Sequence, residues 1–151
     1  MKEGNRRLVE RIFENAEFVH SLGIELVASG EGWCETKLKP LPAHLQQHGL
    51  VHAGVLMTIA DHTCGGAAGS AMPEGMDVIT VENKTSFLRP ASGPELTCRA
   101  QVLRAGNNLV FVEGEVRCER NGERVLVAKM SSTLAVIPLQ REGQNKRRLR
   151  L

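Results

Sequence analysis

The stretch LQQHGLVHAGVLMTIADHTCGG, residues 45–66, holds three histidines and a single carboxylate, Asp61, with no Lys or Arg to neutralise it. From about Ala53 to Ala71 the pattern is helical and apolar on nearly every side, so Asp61 falls inside a helix that the rest of the fold should enclose. A carboxylate in such a place is costly unless it is hydrogen-bonded or used, which makes Asp61 a candidate base or nucleophile and, in the plainer reading, a structural acid. The start of the same helix offers a complementary group. Its first N–H groups lack intrahelical acceptors, and that of Ala53 above all suits an oxygen that gains negative charge during a reaction.

Spacing decides how these groups can meet. Nine residues from His52 to Asp61 correspond to about 13–14 Å of helix rise and roughly two and a half turns. The two side chains therefore sit far apart, on opposite sides of the helix. A single chain does not bring both to one reacting carbon. Two copies with their central helices side by side and antiparallel would set the start of one helix against Asp61 of the other, and twofold symmetry would then supply two equivalent sites. His62 follows Asp61 but points about 100° around the helix, which suits a packing or interface role. His44, His48 and His52 recur every four residues, a spacing that can hold zinc on one helical face. Gly49 and Pro42 argue against a continuous helix there, and no metal is expected.

The remaining elements must position this helix. Leu8, Val9, Ile12, Phe13, Ala16 and Val19 recur at helical spacing after Asn5, a possible cap, and predict an amphipathic cover helix ending before Gly23. GIELVASGEGWCETKLKP reads as two strands around a Gly30-Glu31-Gly32 turn. After Pro73 four long β-rich segments follow: VITVENKTSFLRP, ELTCRAQVLRA, LVFVEGEVRCER and RVLVAKMSSTLAVIP. They are separated by PASGP, GNN and NGE turns, and the short links make the last three antiparallel neighbours. An antiparallel sheet curled around one long helix satisfies this order, an α+β fold. The boundaries read as a cover helix over 1–20, a main domain over 21–138 and a basic, solvated tail over 139–151.

Composition removes several classes. The 151 residues suit one domain, and four scattered cysteines without a C-x-x-C pair argue against a disulfide framework or a cysteine zinc site. The charged start MKEGNRRLVERIF is unlike a signal peptide, and no window approaches the ~18 apolar residues of a membrane span, so a cytoplasmic protein without a membrane partner is expected. A net charge of +2 does not call for nucleic acid.

With these residues in place, the chain resembles the hotdog-fold acyl-CoA thioesterases of the phenylacetate-degradation, or PaaI-like, type. Their motif runs Asn or Gln, two residues, Gly, two residues, His-Gly-Gly, then Asp or Glu nine residues after the His. Gln46, Gly49, His52, Gly54 and Asp61 fall on those positions, and Ala53 replaces the first Gly of His-Gly-Gly. VITVENKTSFLRPASG resembles the strand after the central helix, with Thr80 where a hydroxyl residue is common. The similarity runs over about residues 18–137.

This resemblance implies the hotdog fold, an acyl-CoA substrate, no cofactor, and a site at the interface of a homodimer, which can pair again into a tetramer. Ala53 N–H would bind the thioester oxygen, and Asp61 of the partner would activate water or attack directly. Gln46 and His52 would position the thioester or support the loop, with Gly54 beside it, and Thr80 would hold the water or orient Asp61. Coenzyme A phosphates would draw on Lys84, Arg89 or Arg104. Two alternatives share the fold: a non-catalytic acyl-CoA sensor, and a hydratase or dehydratase, whose His–acid motif is not found around this helix.

Overall fold

A computed structural model describes residue 1 and residues 3–139. The proposed basic tail lies outside the described residues, apart from Leu139 at its start. The elements are helices α1 (Glu3–Glu14) and α2 (Glu17–Ser21), strands β1 (Glu25–Gly30) and β2 (Trp33–Leu38), and a 3-10 turn at Pro42–His44. Then come α3 (Ala53–Ser70), β3 (Met76–Phe87), β4 (Leu96–Ala105), β5 (Leu109–Arg120) and β6 (Glu123–Pro138). The six strands form one antiparallel sheet in the order β1-β2-β4-β5-β6-β3. The last three strands of the chain are neighbours, as the short links require. Between β5 and β6, Asn121 and Gly122 both take positive φ, 52° and 79°, the conformation of a type I′ hairpin turn.

The sheet wraps α3. Ile59, Ala60, Cys64, Ala67 and Ala68 are fully buried along the helix, which packs on β2, β4 and β5 and is covered by α1 on another side. Close approach explains why the helix carries glycine. A Cβ on Gly66 would come within 2.8 Å of Cys34 Sγ on β2 and 3.0 Å of Phe13 on α1, so a side chain there would push the helix off both layers. Two threonines join helix to sheet across the core. The hydroxyls of Thr36 and Thr63 lie 2.6 Å apart, and Thr63 also donates to the Ile59 carbonyl, so these buried polar groups are satisfied.

The cover segment departs from the sequence reading in two ways. Asn5 lies inside α1 rather than capping it, and its Nδ2 donates to the Ser70 carbonyl at 2.7 Å, which ties the cover helix to the end of α3. The expected single helix is also two. Ala16 leaves helical geometry at φ −97°, ψ 79°, and the redirected α2 still buries Val19. Both turns keep apolar faces on the core, so the periodicity ran across a break that it could not reveal.

Candidate active site

The segment before α3 is a compact turn stitched at several points. Gln46 N–H donates to the Leu50 carbonyl at 2.8 Å, and Gly49, at φ 76°, donates back to Gln46 at 2.9 Å. His52 N–H reaches the His44 carbonyl and Val51 N–H the Ala91 carbonyl, which holds the turn against the chain after β3. Between them opens a cleft of about 500 Å³, lined by Gln46, His52, Ala53, Leu56, Phe87 and Arg89 among others.

His52 caps α3. Its backbone is extended at φ −63°, ψ 140°, its Nδ1 accepts from Gly54 N–H at 2.9 Å, and its carbonyl takes the N–H groups of Val55 and Leu56. An accepting Nδ1 puts the ring proton on Nε2 in the neutral side chain. The cap also divides the first turn. Gly54 N–H is occupied, whereas Ala53 N–H has no acceptor among the described residues and its residue lines the cleft. The cleft thus presents one open helix-start donor. Gln46 uses Oε1 to accept from His48 N–H, which leaves its Nε2 to donate.

Asp61 is not part of that cleft. Its Oδ1 accepts from Thr80 Oγ1 at 3.0 Å and from Asn83 Nδ2 at 2.7 Å, both on β3. Thr80 and Asn83 would face opposite sides of a regular strand. The β3–β6 register slips from Thr80↔Leu134 to Glu82↔Thr133, so Val81 is an extra residue and both side chains turn to the helix face. The sequence reading missed Asn83 for this reason.

The three basic candidates separate. Arg89 lines the cleft and donates to the Leu126 carbonyl at 3.1 Å, whereas Lys84 and Arg104 stand exposed on β3 and β4 and do not line it. Arg120, which the sequence reading passed over, donates to the Pro90 carbonyl and Ser92 Oγ beside the cleft. His62 packs edge-on against Phe13 with ring centroids 4.5 Å apart, and burial holds its pKa below the usual histidine value. His44 is buried with Nδ1 accepting from Leu41 N–H, so the three regularly spaced histidines divide among a 3-10 turn, a loop and a cap. All four cysteines are free and buried. Burial pushes the thiols of Cys34 and Cys98 up to about 12 and raises that of Cys64 well above its ordinary value, which leaves these three unsuited to thiolate chemistry.

A six-stranded antiparallel sheet wound around one long buried helix is the architecture of a hotdog fold. The chain belongs to the Thioesterase superfamily, whose family model matches residues 48–125. It is similar to a Thioesterase family protein from Silicibacter pomeroyi, at 33% identity over 89% of this chain and 99% of that one, with a TM-score of 0.87. A thioesterase from Haemophilus influenzae shares 28% identity over 89% and 94% of the two chains, with a TM-score of 0.77. The acyl-coenzyme A thioesterase PaaI of Escherichia coli is 29% identical over 106 residues, 70% of this chain and 74% of that protein. The protein is a thioester hydrolase of the PaaI-like hotdog type. No helix among the described residues is long and apolar enough to cross a membrane.

Proposed function

We propose that the protein hydrolyses acyl-CoA thioesters in a site built by two copies of the chain, the helix start of one and Asp61 of the other. The observation that carries this reading is the division of labour within one chain: among the described residues the cleft holds an unpaired Ala53 N–H but no carboxylate, and Asp61 lies elsewhere on α3. Strand β3 supports pairing of two copies. It is 12 residues long, lies at an edge of the sheet, and exposes 56% of Ile79 and 62% of Val81. A long edge strand with exposed apolar side chains is a template for another strand. Met57, 41% exposed, sits one turn from both Ala53 and Asp61 on α3, where the facing helix of a second copy would cover it.

The chemistry follows from the groups. Asp61 takes a proton from water as the water oxygen bonds to the thioester carbon, and Ala53 N–H, assisted by Gln46 Nε2, receives the charge that gathers on the carbonyl oxygen. Collapse breaks the C–S bond, and the proton held by Asp61 passes to the departing sulfur. Direct attack by Asp61, with water then cleaving the anhydride, uses the same geometry. His52 and Gly54 hold the helix start in shape, Thr80 holds Asp61, and Arg89 offers a cation for coenzyme A phosphate. Lys84 on the edge strand β3 and Arg104 on the interior strand β4 remain as further exposed cations. A reducing cytoplasm suits four unpaired thiols.

A panel of acyl-CoAs with a thiol reagent tests the assignment. CoA released in proportion to protein, for at least one acyl group, is the expected result. Saturable binding without release across the panel would instead make this chain an acyl-CoA sensor.

A further inference from the structure

Asp61 is held on one side only. Both of its donors, Thr80 Oγ1 and Asn83 Nδ2, address Oδ1, and Oδ2 has no donor among the described residues. Two donors on one oxygen fix the carboxylate's rotation and leave the second oxygen to face the reaction. Asn83 makes the shorter of the two bonds, 2.7 Å against 3.0 Å, and its place on the helix face depends on the bulge at Val81.

An amide can serve this purpose in only one orientation. Turned over, Asn83 would present Oδ1 to the carboxylate and replace attraction by repulsion between two acceptors. Its Oδ1 is buried and has no donor among the described residues, and directly opposite in the β3–β6 register stands Ser132, 3% exposed, whose Oγ is likewise buried and without a partner among them. Cross-strand partners point to the same face of a sheet, so the hydroxyl and the amide oxygen share one buried space behind Asp61. The two groups do not bond each other directly, but a buried hydroxyl and a buried acceptor without partners among the described residues complement each other through one water. We infer that Asn83, its amide oriented by Ser132, is a positioning residue that holds Asp61 with Oδ2 free for the reaction. This inference rests on the role proposed for Asp61.

The test compares Asn83→Leu, Asn83→Ser and Ser132→Ala in the full chain, using the acyl-CoA turned over fastest, each also placed in the Asp61→Asn background. Leu matches Asn in shape without donating, and Ser is too short to reach Asp61. If the bulkier apolar change prevents folding, the smaller one still answers. Both Asn83 variants should lower kcat by at least about tenfold with KM within about twofold, because the group acts on the carboxylate and not on substrate. Ser132→Ala should lower kcat by about threefold, and none of the three changes should add to the loss already caused by Asp61→Asn. Folded Asn83 variants with wild-type kcat, beside an inactive Asp61→Asn, would overturn this inference alone. A loss of equal size in the Asp61→Asn background would also overturn it, since the effect would not then pass through Asp61. A fully active Asp61→Asn would remove the proposed role of Asp61 and this inference with it.

Discussion

Replacing Asp61 by Asn is expected to lower kcat by at least about 10²–10⁴-fold, with acyl-CoA binding retained. The structure makes this substitution a clean one. An amide at position 61 can keep its oxygen where Oδ1 accepts from Thr80 and Asn83, so the β3 contacts survive and the side chain holds its place. The nitrogen then occupies the position of Oδ2. It can neither take a proton from water nor attack carbon, so both routes to hydrolysis fail at the same atom. Steady-state kinetics by CoA release, with binding followed by calorimetry, separates the two quantities. A variant that binds acyl-CoA and turns it over at the wild-type rate would make Asp61 a structural acid.

Ala53→Pro should produce the second large loss, by removing one N–H and little else. Proline is accepted in the first turn of a helix, and the residue before it must be extended, which His52 already is at ψ 140°. No bond within the chain is given up, because Ala53 N–H has no acceptor among the described residues. Losing one donor of this kind costs about 2.7–4 kcal/mol in the transition state, or 10²–10³ in kcat. Ala53→Gly keeps the N–H and should keep the activity. A folded Ala53→Pro protein with wild-type turnover would assign the oxygen-binding role to some other group.

The parts of this site that were legible in the sequence share a cause: they lie on one element with a fixed period. Along α3 the rise and rotation per residue place Ala53 and Asp61 without reference to anything else, and Asn121-Gly122 announces its hairpin through the φ values that those residues tolerate. Asn83 was not legible because strand parity sets it opposite Thr80, and nothing in VITVENKT marks Val81 as the extra residue. The same uncertainty of face left Lys84 and Arg104 equal to Arg89 as phosphate ligands, although only Arg89 lines the cleft. Histidine is an uncommon helix cap, so the bond from Gly54 N–H to His52 Nδ1 was not visible in residue types alone. The break at Ala16 escaped for a different reason: α1 and α2 both bury residues in helical phase, so periodicity persists through a change of direction.

The central claim is that Ala53 and Asp61 act across two chains, and reassembly of mixed subunits tests it most directly. Asp61→Asn and Ala53→Pro chains, each inactive alone, are unfolded together and refolded in equal amounts, and native mass spectrometry counts the mixed dimers. Random pairing makes about half of the dimers mixed, each with one doubly defective site and one intact site, so activity should recover to about a quarter of the wild-type value. If mixed dimers form and activity stays at the level of the parents, the helix start and Asp61 do not meet across an interface.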